Sequence, residues 1–258
     1  MQALKLPARH GWGWLAAGFA IFRRNPPLLT MLVVGYWVLL ALLNLIPLVG
    51  AIASTLCIPA FSVSLMNACR DLEQGRKIGP QVIFSGFREN LRVLLMLGAF
   101  YLAATLIVFG ISAMADGGLL LQMMLGGAPP GEEALGSGQF LAATQIALIL
   151  LAPLMMAYWY APVLVAWHGF SVSKAFFFSF VACLRNWRAF FAYAVSLAVF
   201  VAIVPGVVLG LLAVLLPESI PFFTVLFSIQ LLLIVAPTLF ASFYVSYRDV
   251  FVVIEDDA

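Results

Sequence analysis

Two histidines and three cysteines are the side chains of this sequence best suited to nucleophilic or metal chemistry. His10 and His168 have no Ser, Cys or carboxylate at a spacing that would complete a catalytic triad, and two histidines alone do not make a zinc site. Cys57, Cys69 and Cys183 fit no metal-ligand spacing, and we expect them to be apolar packing residues. The sequence therefore predicts a protein that is not an enzyme and that uses no metal or cofactor.

Arginine and lysine are the other chemically capable residues, and they lie at the edges of long apolar runs. A cation at the edge of a membrane attracts anionic lipid headgroups, and each one contributes about 1 kcal/mol near an anionic surface. The candidate headgroup-binding residues are Arg23, Arg24, Arg70, Arg76, Lys77, Arg88, Arg92, Arg185 and Arg188. Because no soluble basic domain accompanies them, nucleic acid is not an expected partner.

A few uncharged polar residues lie inside the apolar runs. We predict that four of them face the interior of a helix bundle, where they hydrogen-bond between helices or line a polar path. These four are Thr105, Thr144, Gln145 and Gln230. No charged residue lies near the middle of a run, which disfavours proton-coupled or sodium-coupled transport.

The sequence "GVVLG" places Gly206 and Gly210 four residues apart within one apolar run. This spacing suits the close approach of two membrane helices, either within the bundle or between two subunits. Because the chain has 20 glycines, two glycines at this spacing readily occur by chance and are weak evidence for helix packing.

Composition shows which elements must position these residues. The chain has 258 residues, of which 64% are hydrophobic and 9% are charged, whereas a soluble domain carries roughly 25% charged residues. Uncharged runs cover 25–69, 93–115, 134–173, 189–217 and 219–247. Since a membrane span needs about 20 apolar residues, the first run holds two spans and each other run holds one. The sequence predicts a single six-span domain over 1–258.

The distribution of charge predicts how the chain is oriented. With six spans, all 13 Lys and Arg residues fall on one side of the membrane. The opposite loops at 44–50, 116–139 and 217–222 carry none. By the positive-inside rule, both termini are expected in the cytoplasm of a bacterium and the protein in its inner membrane.

Asn25, Asn90 and Asn186 each follow the same short pattern. Arginine lies one or two positions before each Asn, and apolar residues lie three and six positions before it. An offset of three keeps side chains on one helical face, so each pattern predicts an amphipathic helix in the membrane interface with its apolar side in lipid. The residues three before each Asn are Phe22, Phe87 and Cys183.

A transmembrane hairpin follows each amphipathic segment, and this order defines a repeat. The predicted fold is an all-α membrane protein with three parallel repeats, each made of an amphipathic helix and a hairpin. The units cover about 9–75, 76–170 and 171–251, and the middle unit contains a long outer loop at 116–140. Parallel repeats differ from the inverted repeats of many secondary transporters.

The stretch "APVLVAWHGFSVSKAFFFSFVACLRNWRAFF" at 161–191 resembles a family of six-span inner-membrane proteins of proteobacteria. It is more remotely similar to the membrane domain of some glycerophosphodiester phosphodiesterases. The resemblance implies a six-span architecture without the phosphodiesterase chemistry, because the clustered acidic residues and histidines of that enzyme domain are absent.

Together these features predict a non-enzymatic membrane protein whose partners are phospholipids, a membrane-protein complex that it helps to assemble or regulate, or a second copy of itself. The alternative is a passive conduit for a lipid or small molecule between the hairpins. A wet groove lined by the four interior polar residues would favour the conduit, and a dry bundle centre would exclude it.

Overall fold

A computed structural model of the protein describes residues 2–47, 49–127 and 130–252. The described chain is almost entirely helical. Its α-helices are α1 (Arg9–Phe22), α2 (Pro26–Asn44), α3 (Val49–Glu73), α4 (Leu91–Asp116), α5 (Leu119–Met124), α6 (Glu132–Leu135), α7 (Gly138–Trp159), α8 (Ala161–His168), α9 (Val172–Arg185), α10 (Trp187–Leu197), α11 (Val204–Leu215), α12 (Ile220–Gln230) and α13 (Ala236–Val250). The 3₁₀ helices are Pro80–Arg88 and Pro217–Ser219, the π-helices are Ala198–Ile203 and Leu231–Val235, and the strands are β1 (Gln2–Ala3) and β2 (Phe251–Val252).

Six helical segments are long and apolar enough to cross a bilayer, which confirms the all-α class and the predicted number of spans. They are Pro26–Asn44, Val49–Glu73, Leu91–Asp116, Gly138–His168, Trp187–Leu215 and Pro217–Val250. Each is at least about as long as the roughly 20 residues that a span requires.

The packed core lies toward one end of the six spans, which we call the basic end because the arginines that flank the spans are there. Its fully buried side chains include Trp14, Tyr160 and Leu94. The last two spans, Trp187–Leu215 and Pro217–Val250, form the third hairpin. Outside the packed core, none of its residues from 198 to 235 is buried. The protein therefore has a packed basic end and a third hairpin that projects away from it.

Helix α1 packs against α10 and α13 through two glycines. A Cβ atom on Gly18 would lie 2.6 Å from the amide nitrogen of Ser242, and one on Gly11 would overlap the backbone of Ala189. Only a residue without a side chain permits these approaches. The N-terminal helix is therefore part of the bundle rather than a peripheral helix on its surface.

This packing corrects the prediction that the apolar faces of the amphipathic helices point into lipid. Phe22 and Cys183 are 6% and 3% exposed and belong to the protein core, and Phe87 packs on Phe61 with ring centroids 4.8 Å apart. The spans offer apolar surface next to the helices, so protein rather than lipid covers these faces. Phe19 and Phe84, the residues six before Asn25 and Asn90, remain exposed, so the correction concerns the residues three before each Asn.

Hydroxyl groups of neighbouring helices supply hydrogen bonds at two places where the spans lose backbone hydrogen bonds. Pro237 has no N–H for the carbonyl of Leu233 four residues earlier, and the Thr30 hydroxyl donates to that carbonyl at 2.7 Å. Between α7 and α8, the Tyr160 N–H donates to Ser179 Oγ at 2.9 Å and Ser179 donates to the Met156 carbonyl at 2.8 Å. Neighbouring helices thus satisfy polar groups that lipid could not satisfy.

The two ends of the chain meet at the basic end. Strand β1 pairs antiparallel with β2, with Gln2 opposite Val252 and Ala3 opposite Phe251. The Leu4 N–H extends this contact by donating to the Val250 carbonyl at 2.8 Å. The N-terminal segment is therefore joined to the end of the last span.

Candidate functional site at the basic end

The three segments that link an amphipathic segment to the following span are centred on Asn25, Asn90 and Asn186, and we call them the first, second and third corners. At the first corner, the Asn25 side chain accepts a hydrogen bond from the Leu28 N–H at 3.3 Å and so caps α2. Pro26 begins that helix, where a missing N–H costs nothing. The first corner is thus stabilised by local contacts within its own chain segment.

Arg24 links the first corner to the end of the neighbouring span α3. Its Nη1 donates to the carbonyl of Leu72 at 2.9 Å and to the carbonyl of Glu73 at 2.6 Å. The last carbonyls of a helix lack internal partners and carry partial negative charge, so a guanidinium is well suited there. The rest of the Arg24 side chain is exposed.

A turn after α3 brings two further cations beside Arg24. Gly75 has φ 72°, in the left-handed region that favours glycine, and its N–H donates to the Leu72 carbonyl at 3.1 Å. The turn leads into Arg76 and Lys77, both exposed. Together with the first corner they line a cleft of about 480 Å³, formed by Arg24, Asn25, Leu72, Gly75, Arg76, Lys77 and Ile78. We call it the cationic cleft.

One carboxylate approaches the cationic cleft. The Asp71 carboxylate accepts a hydrogen bond from Arg76 at 3.0 Å and forms an ion pair with it. The nearby Glu73 carboxylate instead contacts Arg248 and accepts a hydrogen bond from the Tyr244 hydroxyl at 2.6 Å. Of the three cations that line the cleft, Arg76 thus has a carboxylate partner, and Arg24 and Lys77 have none among the described residues.

The second corner contacts α8. Asn90 adopts φ 48°, a conformation that Asn tolerates better than most residues, and its Nδ2 donates to the Val165 carbonyl at 3.1 Å. Arg88 and Arg92 on either side of it are exposed.

Asn67 is the centre of a buried polar network between the second corner and the ends of two spans. Its Oδ1 accepts from Trp167 Nε1 at 2.8 Å and from Arg70 at 3.2 Å. Its Nδ2 donates to Ser85 at 3.0 Å and to Glu89 at 3.2 Å. This fully bonded amide is a structural link that the sequence patterns did not single out.

Arg70, one of the predicted headgroup ligands, is drawn into the same network. Its guanidinium lies 4.3 Å from the centre of the Trp167 ring, and the residue is half-buried. A cation over an indole face is stabilised by the ring quadrupole. Arg70 therefore connects two spans and presents less of its charge to the surroundings than Arg24 does.

The third corner holds the N-terminal segment of the chain. The Asn186 side chain, 1% exposed, accepts from the Leu6 N–H at 2.8 Å and donates to the Leu4 carbonyl at 2.8 Å and the Ala182 carbonyl at 2.9 Å. All of its polar capacity faces protein. Arg185 and Arg188 beside it are exposed, and Arg188 lies 5.4 Å from the centre of the Trp187 ring.

The four polar residues predicted to share the bundle interior are not brought together. Thr144 donates to its own helix at the Phe140 carbonyl, and Gln145 and Gln230 are exposed on different spans. Thr105 has a buried hydroxyl without a partner in the described residues. A cavity of about 370 Å³ between the spans is lined mainly by apolar and aromatic side chains and by none of these four. Another, of about 310 Å³ within the third hairpin, is lined by Gln230 together with Thr224 and Ser228 but by none of the other three. These four residues therefore do not line one cavity together, and a polar path on them stays a prediction.

Two further groups of predicted residues have clear positions. A Cβ atom on Gly206 or Gly210 would meet no neighbour within 4 Å, so this pair does not pack within the bundle. Burial raises the pKa of the Cys183 thiol to about 12, which fits a packing residue and leaves it protonated at neutral pH. Within the described residues, no three His, Cys, Asp or Glu side chains lie together as a metal site.

Comparison with known proteins gives one informative relative. A probable inner membrane protein of Burkholderia thailandensis is 37% identical over 264 aligned residues, which cover 100% of this chain and 97% of the relative. No protein-family profile and no solved structure matches the chain. The remote similarity to the membrane domain of glycerophosphodiester phosphodiesterases stays a prediction. With six apolar helices and a full-length relative of this kind, the chain is a multi-pass inner-membrane protein and belongs to the same family as the Burkholderia thailandensis protein.

Proposed function

We propose that this protein is a non-enzymatic membrane component that binds anionic phospholipids at its basic end and helps to assemble or regulate a membrane-protein complex. The observation that carries the proposal is the exposure of cations there. Of the nine predicted headgroup ligands, Arg76 alone forms an ion pair with a carboxylate among the described residues. Exposed cations at the edge of the spans attract anionic lipid.

The experiment is lipid selection by the intact protein. The purified chain is placed in nanodiscs that contain equal amounts of phosphatidylglycerol and phosphatidylcholine, and the lipids retained after detergent extraction are measured by native mass spectrometry. We expect phosphatidylglycerol to be enriched several-fold, and the enrichment to fall as salt rises. Equal retention of the two lipids would contradict the proposed function.

We also propose that the chain consists of three repeats arranged in a ring. The support is that each amphipathic segment packs on the second span of the unit before it: the helix at 80–88 on α3, α9 on α7 and α8, and α1 on α13. The first unit has no other unit before it in the sequence, yet α1 packs on the last span of the third unit. Such cyclic order is what three equivalent units would produce.

The proposed orientation places the basic end and both termini in the cytoplasm. It is supported by the lysine and arginine distribution and by the β1–β2 pairing, which holds both ends of the chain at the basic end. The test uses Gly131→Cys at the opposite end and Gln74→Cys at the basic end, both exposed positions. A membrane-impermeant maleimide added to intact cells should label the first variant and spare the second. The reverse result would overturn the orientation.

The third hairpin supports a protein partner in the membrane. None of its residues from 198 to 235 is buried, and Gly206 and Gly210 leave one side of α11 open. Small residues at this spacing allow two membrane helices to approach closely. Cysteine crosslinking from position 207 in native membranes, with position 46 on the first hairpin as control, should give adducts from the third hairpin alone. Adducts from neither position would count against such a partner.

A further inference from the structure

We propose that the first corner is a two-part phospholipid site, in which the cationic cleft binds the phosphate and an apolar groove beside it takes an acyl chain. The inference rests on the proposed function and deepens it, because it assigns lipid binding to one corner instead of the whole basic end.

The charge of the cationic cleft fits an anionic phosphate. Arg24, Arg76 and Lys77 line it, and Asp71 offsets one positive charge through its ion pair with Arg76. Arg24 uses one nitrogen for the end of α3, so the remaining face of its guanidinium can donate to a phosphate oxygen. Two cations therefore remain for a ligand, one with a planar donor array and one with a mobile ammonium group.

The apolar part of the site is a groove of about 570 Å³ that begins at the same corner. It is lined by Phe22, Pro26, Pro27, Thr30, Met31, Val34, Leu233 and Ile234. Thr30 donates its hydroxyl to the Leu233 carbonyl, so its only polar hydrogen is already used. The walls therefore present hydrocarbon, which suits an acyl chain and excludes a headgroup.

The cleft and the groove lie at the membrane depths expected for the phosphate and the acyl chain of a phospholipid. The cations of the cleft directly precede α2 or directly follow α3, at the level where these spans leave the membrane. Val34 lies eight residues into α2, about 12 Å deeper at 1.5 Å per residue. A phosphate at the arginines thus leaves its acyl chain at the depth of the groove.

The balance of charge also selects the headgroup. A zwitterionic lipid carries its own cation next to the phosphate, and that cation would be repelled by Arg24 and Lys77. A lipid with phosphate and no amine, such as phosphatidylglycerol, or one with two phosphates, such as cardiolipin, pairs with the cleft without this repulsion. We therefore assign the site to these amine-free anionic phospholipids.

The third corner lacks this combination. A cavity of about 360 Å³ is present there, lined by Met155, Met156, Trp159, Cys183, Trp187, Phe190 and Phe191. No cation lines it, and the Asn186 amide beside it is committed to the N-terminal segment. Arg185 and Arg188 at this corner consequently serve as matched controls for the cations of the cleft.

The test compares two double variants that remove the same charge from the same end of the bundle. Arg76→Gln/Lys77→Gln alters the cleft, and Arg185→Gln/Arg188→Gln alters the third corner. Binding of phosphatidylglycerol, cardiolipin and phosphatidylethanolamine to the full-length protein is titrated by native mass spectrometry. We expect the cleft variant to bind the two anionic lipids at least about fivefold more weakly, the factor that corresponds to one lost cation. The third-corner variant reduces only the general attraction of the basic end and should lose clearly less.

A second pair of variants tests the groove. Val34→Phe fills it, whereas Val38→Phe adds the same volume one turn further along α2, at a position that is 50% exposed and lies outside the groove. We expect Val34→Phe alone to shorten the retention of anionic lipid. Inorganic phosphate at millimolar concentration distinguishes a phospholipid site from a site for free phosphate. It should compete only weakly with the lipid, because it lacks an acyl chain.

The outcomes distinguish this site from the broader proposal. Equal losses in the two charge variants would overturn the assigned site and leave general attraction at the basic end intact. No preference of the wild type for anionic lipid would overturn the proposed function itself. Full competition by phosphate, with no effect of Val34→Phe, would identify a phosphate site and contradict the acyl groove.

Discussion

The first and third corners have nearly the same pattern of apolar residues, arginine and asparagine. In the structure the first corner is accessible, whereas the asparagine of the third is covered by another segment of the chain. At the first corner Asn25 bonds to its own helix, and the arginine beside it borders an open cleft. At the third corner Asn186 is buried and holds the N-terminal segment. A shared sequence pattern thus sets where a corner forms, and the neighbouring segment decides whether the corner stays accessible.

The largest expected effect comes from Asn186→Ala. The change removes the hydrogen bonds of the Asn186 amide to the Leu6 N–H, the Leu4 carbonyl and the Ala182 carbonyl, and each such bond is worth about 0.5–1.5 kcal/mol. We expect a loss of about 2–4 kcal/mol in the free energy of unfolding, measured by SDS titration of the detergent-solubilised protein. Arg185→Ala next to it is the exposed control and should change little. A loss smaller than that of Asn25→Ala would contradict the difference between the corners.

Asn90→Ala should have an intermediate effect. An alanine at φ 48° costs about 1–2 kcal/mol, and the bond from the Asn90 amide to the Val165 carbonyl is lost as well. We expect a loss of about 2 kcal/mol in the same titration. Asn90→Gly separates the two causes, since glycine keeps the backbone conformation and loses only the hydrogen bond. If glycine and alanine are equally destabilising, the conformational cost is negligible.

Asn25→Ala should cost the least of the three asparagine changes. It removes a helix cap, which is typically worth about 1 kcal/mol, and no distant segment depends on it. Asn25→Ser should restore most of the loss, because serine also caps helices. An effect as large as that of Asn186→Ala would show that the first corner holds more of the fold together than its contacts indicate.

The smallest effect is expected at the far end of the third unit, where Gly206→Ala and Gly210→Ala add methyl groups into open space. Alanine is favoured over glycine inside a helix by roughly 0.5–1 kcal/mol, so the stability of the monomer should stay the same or rise. Gly18→Ala is the contrasting control, because its methyl group would meet the backbone of Ser242. Strong destabilisation by Gly206→Ala would place a neighbouring helix against this face.

Much of the architecture follows from the sequence because a membrane span is specified by the hydrophobicity of consecutive residues. Long uncharged runs specify helices, since every backbone group in lipid must bond within its own segment. The six spans could therefore be predicted from the charge-free runs alone. The Gly18 contact with Ser242 could not, because it depends on two helices more than 200 residues apart in the sequence.

The candidate site was only partly predictable for the same reason. The residues of the cationic cleft were expected to meet headgroups, and Arg76 and Lys77 belong to the cluster of cations from Arg70 to Arg92, but no sequence pattern places Arg24 beside them. The cleft arises because Arg24 bonds to the end of α3 and the turn at Gly75 brings Arg76 alongside. The polar residues assigned to the interior are not brought together either, since Gln145 and Gln230 are both exposed and lie on different spans. Periodicity shows which residues share a helix face and not which helix covers it.

The contact of α1 with α13 also sets the timing of assembly. The docking surface of α1 belongs to the last helix of the chain, which leaves the ribosome roughly 10–40 s after α1 at typical synthesis rates. Gly11 and Trp14 meet α10 earlier, whereas the part of α1 around Gly18 has no partner until α13 is made. The contact between α1 and α13 therefore forms late in synthesis, and α1 is accessible to proteases until α13 has inserted.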